Sequence, residues 1–406
     1  MASKHMPATW NFFSSGELHF GIGVLQQLGE IAKRYSVQSA LIVTDPVLVK
    51  AGLLDKVRAP LESAGIDVTV FDESEPEPSL EIVDQCVQRA RDSSPDAIIG
   101  LGGGSNMDVA KHAAAVVTHG GAVRDYLGED NVPGPVMPLI CIPTTAGTGS
   151  EVTASTVLTD TENKIKAACL SNHLRPTVAL VDPELTISCP RSVTADSGID
   201  TLTHAIEAYT AVTRAEFNLE EGERSLFQGS NAMGDIFAER AIELVGDHLV
   251  DAAEQPTNLE AREGMALAAT LAGLAFSNVG VGLVHAMEYP LGAEVHCSHG
   301  IGNGVLLPYV MRYNLPGREA RFARIGRLLG ADVRGLDDND AAELAIEKVV
   351  QIRRAIGIPH TISELGAREE HLRPFAEKAA EIKRLIRINP RDANADQIEA
   401  VYRESL

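Results

Sequence analysis

Before Pro190 the chain alternates short β-rich runs with helical stretches, and after it the β-rich runs stop. Ala40–Thr44 (ALIVT), Asp67–Phe71 (DVTVF), Ala97–Leu101 (AIIGL), Leu139–Ile142 (LICI) and Thr177–Val181 (TVALV) are bounded by Gly, Pro or Asp. Runs with little polar alternation suit strands that are covered on both faces. Between the first four lie amphipathic stretches such as Ser79–Asp92 and Met107–Val117, which supply helical crossovers. The expectation for residues 1–190 is therefore an α/β domain built on a parallel sheet. From residue 191 the pattern changes. Thr194–Thr210, Ala232–Ala253, Leu259–Phe276, Arg318–Leu329, Asn339–Ile356 and Arg368–Ile386 carry apolar residues at helical spacing, so 191–406 is expected to be all-helical. Thr213–Ser230, acidic and then turn-rich, reads as a surface loop.

Length agrees with two domains, since 406 residues exceed what one core usually serves. A formal net charge of −21 argues against a nucleic-acid partner or an anionic membrane surface, both of which call for basic patches. The five cysteines, Cys86, Cys141, Cys169, Cys189 and Cys297, show no CxxC spacing and read as reduced thiols of a cytoplasmic protein. MASKHMPATW has no long apolar core, so no secretory leader is expected. Gly264–Val284 lacks any charged side chain and is long enough to be weighed as a membrane span. Its many Gly and Ala residues, with Ser277 and Asn278, favour a buried helix or helix pair.

Two glycine-rich turns follow strands. In AIIGLGGGSNMDVAK, three glycines and Ser105 stand between a strand and a helix, where bare backbone N–H groups can cradle a pyrophosphate. A plain tight turn would also explain them. Neither GxGxxG nor GxxxxGK[ST] is present. IPTTAGTGSEVT follows a later strand, and two such turns side by side at the carboxyl ends of parallel strands define a dinucleotide crevice. Asp45, closing LIVTD, fits a ribose diol and favours NAD over NADP; as an Asp before Pro it equally fits a turn.

Asp200 and His204 stand four apart in GIDTLTHAIEAYT, and His285 and His299 follow in VHAMEYPLGAEVHCSHGIGNG. A spacing of four puts carboxylate and imidazole on one helix face, and the four together make a plausible metal site. Three imidazoles and one carboxylate suit Fe²⁺ and Zn²⁺ alike. His296 and Glu288 compete as ligands. His19, His112, His119, His173 and His248 have no supporting constellation.

On GGGSNMDVAK, PTTAGTGSEVT, GIDTLTHAIEAY and HAMEYPLGA with its following HG(I)GNGVLLPYVMRYN, the chain resembles the iron-containing (group III) alcohol dehydrogenase family over nearly its whole length. The resemblance implies a dehydroquinate synthase-like architecture, with a dinucleotide domain, a helical domain and a divalent metal in the cleft between them. It implies Asp200, His204, His285 and His299 as metal ligands. It places Gly102, Gly103, Ser105 and Asp108 at the pyrophosphate turn, and Thr144, Thr145, Ser150 and Lys166 along the cofactor. A homodimer or higher homo-oligomer is implied as well. One departure falls near the chemistry: Tyr289 stands one helical turn after His285, where many members have a histidine, and it becomes the candidate proton relay. A second departure is the loop insertion before QGSNAMGDIFAERA; the QGSN run and the HAMEYP run resemble the branch with hydroxyacid–oxoacid transhydrogenases and 4-hydroxybutyrate-type dehydrogenases. The implied activity is NAD-dependent interconversion of a primary alcohol and an aldehyde, or of a hydroxyacid and a semialdehyde or oxoacid. The alternatives are a hydroxyacid–oxoacid transhydrogenase and a dehydroquinate synthase-like lyase.

Overall fold

The computed structural model describes residues 9–163, 165–217, 219 and 223–406. Its contacts divide the chain into two compact units, one of residues 14–190 with 256–266, the other of 191–255 with 267–406 and the N-terminal residues 9–13. Compared with a single cut after residue 190, a stretch of eleven residues (256–266) and the N-terminal segment change sides.

The first unit is α/β. In chain order it contains β1 (Glu17–Phe20), α1 (Leu28–Arg34), β2 (Ser39–Val43), α2 (Pro46–Lys50), α3 (Leu53–Ser63), β3 (Asp67–Phe71), α4 (Leu80–Ser93), β4 (Ala97–Gly102) and α5 (Gly104–His119). Then follow β5 (Gly128–Glu129), β6 (Leu139–Pro143), β7 (Ser155–Asp160), β8 (Ile165–Leu170) and β9 (Val178–Val181). The main sheet is wholly parallel in the order β1-β9-β6-β4-β2-β3, with Val43 opposite Gly100 and Gly102 opposite Pro143. The five expected strands are all in it. Aliphatic residues cover both faces: Leu41, Val43 and Ile98 pack with α4 and α5 on one side, Ile42, Ile99 and Ile140 with α1 and α3 on the other. The chain reverses its direction of travel across the sheet between β2 and β4, so the crevice at the carboxyl ends of those strands is the switch point. The second sheet, β5-β8-β7, with β7 and β8 antiparallel, was not foreseen.

The second unit is helical, from α6 (Arg191–Thr210) and α7 (Ala232–Glu254) through the greater part of α8 (Leu259–Val279) to α9 (Leu283–Val295) and α10 (His299–Asn314). It continues with α11 (Glu319–Leu328), α12 (Asp338–Ile356), α13 (Glu369–Glu381), α14 (Lys383–Ile386) and α15 (Ala395–Ser405). The single helix expected over Arg368–Ile386 is broken at Ile382, whose ψ of 63° leaves the helical region. Among the described residues no single helix is long and apolar enough to cross a membrane; α8 and α9 meet that test only together, and they bend by 103°. Gly264–Val284 covers their junction, and nearly all its residues are buried. In the expected loop Thr213–Ser230, residues 218 and 220–222 lie outside the described residues. Its ends are tied by a bridge between Thr213 and Ser230, and Phe217 and Phe227 turn inward.

Candidate active site

α6 places Asp200, His204 and Glu207 at steps of four and three, on one face and at nearly full burial. His285 comes from the first turn of α9 and His299 from the first residue of α10. Donor atoms of Asp200, His204 and His285 lie within 4.8 Å of one another. Asp200 Oδ2 is 3.7 Å from His204 Nδ1, and its Oδ1 is 3.8 Å from His285 Nε2 and 3.9 Å from His299 Nε2. His299 is the least buried member, with 37% of its side chain accessible, so the group reaches solvent on that side. Phe276 stacks on His204 at 4.1 Å and closes another.

The rings of His285 and His299 are each oriented by a second partner. His285 Nδ1 donates to Glu207 Oε2 at 2.5 Å, while Glu207 Oε1 accepts the Val284 N–H at 2.7 Å. Glu207 thus caps α9, whose N-cap Gly282 has no side chain to do so. His299 Nδ1 donates to Glu288 Oε2. Asn303 Nδ2 lies 2.8 Å from Asp200 Oδ1, 3.3 Å from His285 Nε2 and 3.1 Å from His299 Nε2. Glu288, weighed as a ligand, is therefore a partner of a ligand candidate. His296 is exposed and left-handed at the C-cap of α9. Sequence reasoning missed Glu207 and Asn303. The signal for Glu207 was its place three residues after His204 on the same face.

Electrostatics follow from burial. Burial opposes ionisation of Asp200, yet His204, His299, His285 and the Asn303 amide outweigh it and hold the carboxyl below its usual range. Burial drives His204 down to about 3 against the pull of Asp200, so the ring is neutral and able to ligate. Burial also opposes charge on His299, but Glu288 and Asp200 lift it to about 10. Burial raises the hydroxyl of Tyr289 above its ordinary value, with the Arg384 guanidinium opposing it. Its ring centroid is 6.0 Å from that of His299.

In the α/β unit the two glycine-rich turns leave adjacent strands, β4 and β6, and the Thr144 N–H donates to Gly102 O at 3.0 Å. Gly102 has a φ of +144°, and a Cβ there would stand 2.1 Å from Asn106 Nδ2. A Cβ on Gly104 would stand 2.8 Å from Thr148 Cγ2, and one on Gly103 3.6 Å from Thr145 Oγ1. Asp45 caps α2, its Oδ1 accepting from Val47 N and Leu48 N, and its Oδ2 accepts from Asn106 Nδ2 at 2.7 Å. The turn-forming role is thus realised, and the side chain also braces the glycine turn. Asp108 bonds Ser150 Oγ (2.9 Å) and Val157 N (2.8 Å). Burial raises Asp108 to about 6, opposed by Lys111. Lys111 itself is fully buried and donates to Ser150 Oγ, Thr153 Oγ1 and the Thr153 and Ser155 carbonyls. Lys166 on β8 reaches Glu77 at 2.9 Å and Thr159 at 3.2 Å, while the Glu77 N–H meets Ser105 Oγ at 3.3 Å. Lys111 and Asn106 were not foreseen; a lysine inside the alanine-rich run of α5 was the available signal.

Glycine-rich turns at a parallel sheet's carboxyl end, with a carboxylate–imidazole cluster in a helical unit, define the class of metal- and dinucleotide-dependent oxidoreductases. A model of the iron-containing alcohol dehydrogenases matches residues 15–183, and one of the Fe-containing alcohol dehydrogenase C-terminal region matches residues 223–406. The NAD-dependent methanol dehydrogenase of Bacillus methanolicus is 37% identical over 396 residues, covering 98% of this chain and 100% of its own. Long-chain-alcohol dehydrogenase 1 of Geobacillus thermodenitrificans is 40% identical over 387 residues, covering 95% of this chain and 93% of its own. A crystal structure of 1,3-propanediol oxidoreductase superposes with a TM-score of 0.92 at 37% identity, covering 98% of this chain and 100% of that one. The chain belongs to the iron-containing alcohol dehydrogenase family, and it is an alcohol/aldehyde oxidoreductase. The relatives do not favour the transhydrogenase or lyase alternatives.

Proposed function

We propose that this enzyme oxidises a primary alcohol reversibly to its aldehyde with NAD, around a divalent iron or zinc ion held by Asp200, His204, His285 and His299. The observation that carries the ligand set is His204 Nδ1, buried in the cluster with no hydrogen-bond partner among the described residues. An unpaired buried nitrogen costs about 1–3 kcal/mol, a cost that a cation beside Asp200 would remove. When bound, such an ion supplies Lewis acidity toward the substrate oxygen. The substrate carbon loses a hydride to the nicotinamide and its hydroxyl loses a proton, so alcohol and NAD⁺ become aldehyde, NADH and H⁺. Tyr289, a neutral hydroxyl beside His299, serves the proton path as donor or acceptor.

For the cofactor, Gly102, Gly103, Ser105, Thr144 and Thr145 would hold the pyrophosphate, and Asp45, already bound to Val47 N, Leu48 N and Asn106, is the candidate for the ribose. Asp108, Ser150 and Lys166 complete the candidate cofactor residues, with Ser150 Oγ bonded to Asp108 at 2.9 Å and Lys166 tied to Glu77 at 2.9 Å. Three buried free thiols, Cys86, Cys141 and Cys169, support a cytoplasmic location, and a homodimer or larger homo-oligomer is the assembly to test by light scattering.

The test is His285→Ala, assayed anaerobically for bound metal and for NAD⁺ reduction on short alcohols and diols. Both should fall to background; retained metal with full turnover would sink the assignment.

One observation favours the hydroxyacid half of the substrate range. Arg384, on α14, lies against Tyr289 on α9, and among the described residues it has no carboxylate partner. A substrate carboxylate would supply one. Arg384→Ala should raise KM for a 4-hydroxyacid and leave KM for a neutral alcohol unchanged; equal effects on both would remove this reading.

A further inference from the structure

We propose that Glu288 is a positioning residue that tightens retention of the divalent ion by acting through His299. The proposal rests on the ligand set above. Glu288 stands three residues after His285 on α9, yet its carboxylate serves a histidine on α10. Its bond is to His299 Nδ1, whereas His299 Nε2 faces Asp200 Oδ1 at 3.9 Å. Glu288 is thus on the far edge of the ring from the cluster and cannot be a ligand while it holds the imidazole. A carboxylate in that place fixes ring orientation and tautomer and makes the other nitrogen a stronger donor to a metal.

Charge points the same way. Asp200, Glu207 and Glu288 are all buried, and among the described residues none of them pairs with Lys or Arg; they meet the three histidines, with the Asn303 amide also on Asp200 and the Val284 N–H on Glu207. Buried carboxylates with no Lys or Arg beside them are costly, and a divalent ion held by the histidine nitrogens would offset that negative charge. The niche is built for the side chain. A Cβ on Gly292 would lie 2.4 Å from Glu288 Oε1, and one on Gly302 2.7 Å from Glu288 Cγ. Two glycines on two helices therefore make the room that Glu288 fills, and a methyl group at either would push the carboxylate off His299.

The experiment titrates Zn²⁺ against a chelator on the metal-stripped full chain, for the unaltered protein, Glu288→Gln, Gly302→Ala, the double variant and His285→Ala. Glu288→Gln keeps the volume and an acceptor but loses the charge, and should weaken Zn²⁺ binding about 10-fold or more. Gly302→Ala should weaken it similarly, and the double variant should be no weaker than the worse single. The melting loss of Glu288→Gln should be larger with Zn²⁺ present than without it, because the variant loses its hold on the ion as well as the bond to His299. Wild-type Zn²⁺ affinity in both single variants overturns the proposal. A melting loss in Glu288→Gln that is the same with and without Zn²⁺ also overturns it, since that marks a purely structural residue. If Glu288→Gln does not fold, Gly302→Ala decides alone. His285→Ala separates the two levels: loss of Zn²⁺ there with none in the Glu288 variants removes only this role, whereas wild-type affinity there removes the ligand set itself.

Discussion

Glu207 and His285, 78 residues apart in sequence and on different helices, are joined by a 2.5 Å hydrogen bond, and the same carboxylate caps the helix that carries the histidine. Helix capping and orientation of a ligand candidate are therefore one interaction. Glu207→Ala leaves the Val284 N–H and His285 Nδ1 without their acceptor in a buried site. The metal-stripped protein should lose roughly 2–4 kcal/mol on this account, with metal affinity falling in parallel. Glu207→Gln, which can still accept from Val284, should lose less. Thermal unfolding of the stripped variants checks this, and an unchanged midpoint in Glu207→Ala would show that the pair contributes nothing to stability.

The close approach of the two turns at Gly104 and Thr148 gives a separable prediction for the cofactor. An alanine at 104 puts its Cβ 2.8 Å from Thr148 Cγ2, so the turns must part. Gly104→Ala should weaken NADH binding about 10-fold while Zn²⁺ binding in the helical unit is unchanged, because geometry at a pyrophosphate cradle is set to within tenths of an ångström. Gly104→Ala with Thr148→Ala should recover much of the loss. NADH fluorescence titration measures it, and a double variant no better than the single would place the effect elsewhere.

The parallel sheet was legible because its buried strands are continuous aliphatic runs with turn residues at both ends, a signal local to a few residues. β1, Glu17–Phe20, was not: it is a short, partly exposed edge strand, and its pairing with Val178–Val181 is set by contacts 161 residues away. The helices α9 and α10 were hidden by Pro290 and Pro308 and by several glycines, which punctuate a sequence even where burial overrides them. At the site, the ligand candidates could be named from spacing and resemblance, since a helical repeat is a property of neighbours. The partners that orient them could not. Glu207 meets His285, and Lys111 meets Ser150, only through tertiary folding, and no periodicity connects them.

Lys111 tests how far that buried network matters. It lies one turn after Asp108, which bonds Ser150, and it donates to Ser150 and Thr153 itself. Lys111→Met strands a buried carboxylate and several acceptors, and should cost about 3–5 kcal/mol. Adding Asp108→Asn removes the stranded charge and should restore part of that. Denaturant melts of the two variants decide, and a double variant less stable than Lys111→Met would show that Asp108 is not the group left uncompensated.

His112 gives the pH dependence. It is fully buried on α5, with Nε2 donating to Val123 O at 2.9 Å and Nδ1 3.2 Å from Thr156 Oγ1. Burial lowers it from 6.5 to about 4, with the bond to Val123 opposing the shift. A depressed value means that the unfolded chain takes up the proton first. The stability due to the neutral ring is complete above pH 6.5, declines as pH falls below it, and is gone below about 4. A shift of that size corresponds to about 3 kcal/mol across the window. His112→Gln removes the titration, so its unfolding free energy should fall less steeply than that of the unaltered protein between neutral pH and pH 4. The two profiles should run parallel above pH 7. Parallel profiles throughout the acid window would mean that the ring is already charged inside the fold, or that the fold admits water to it.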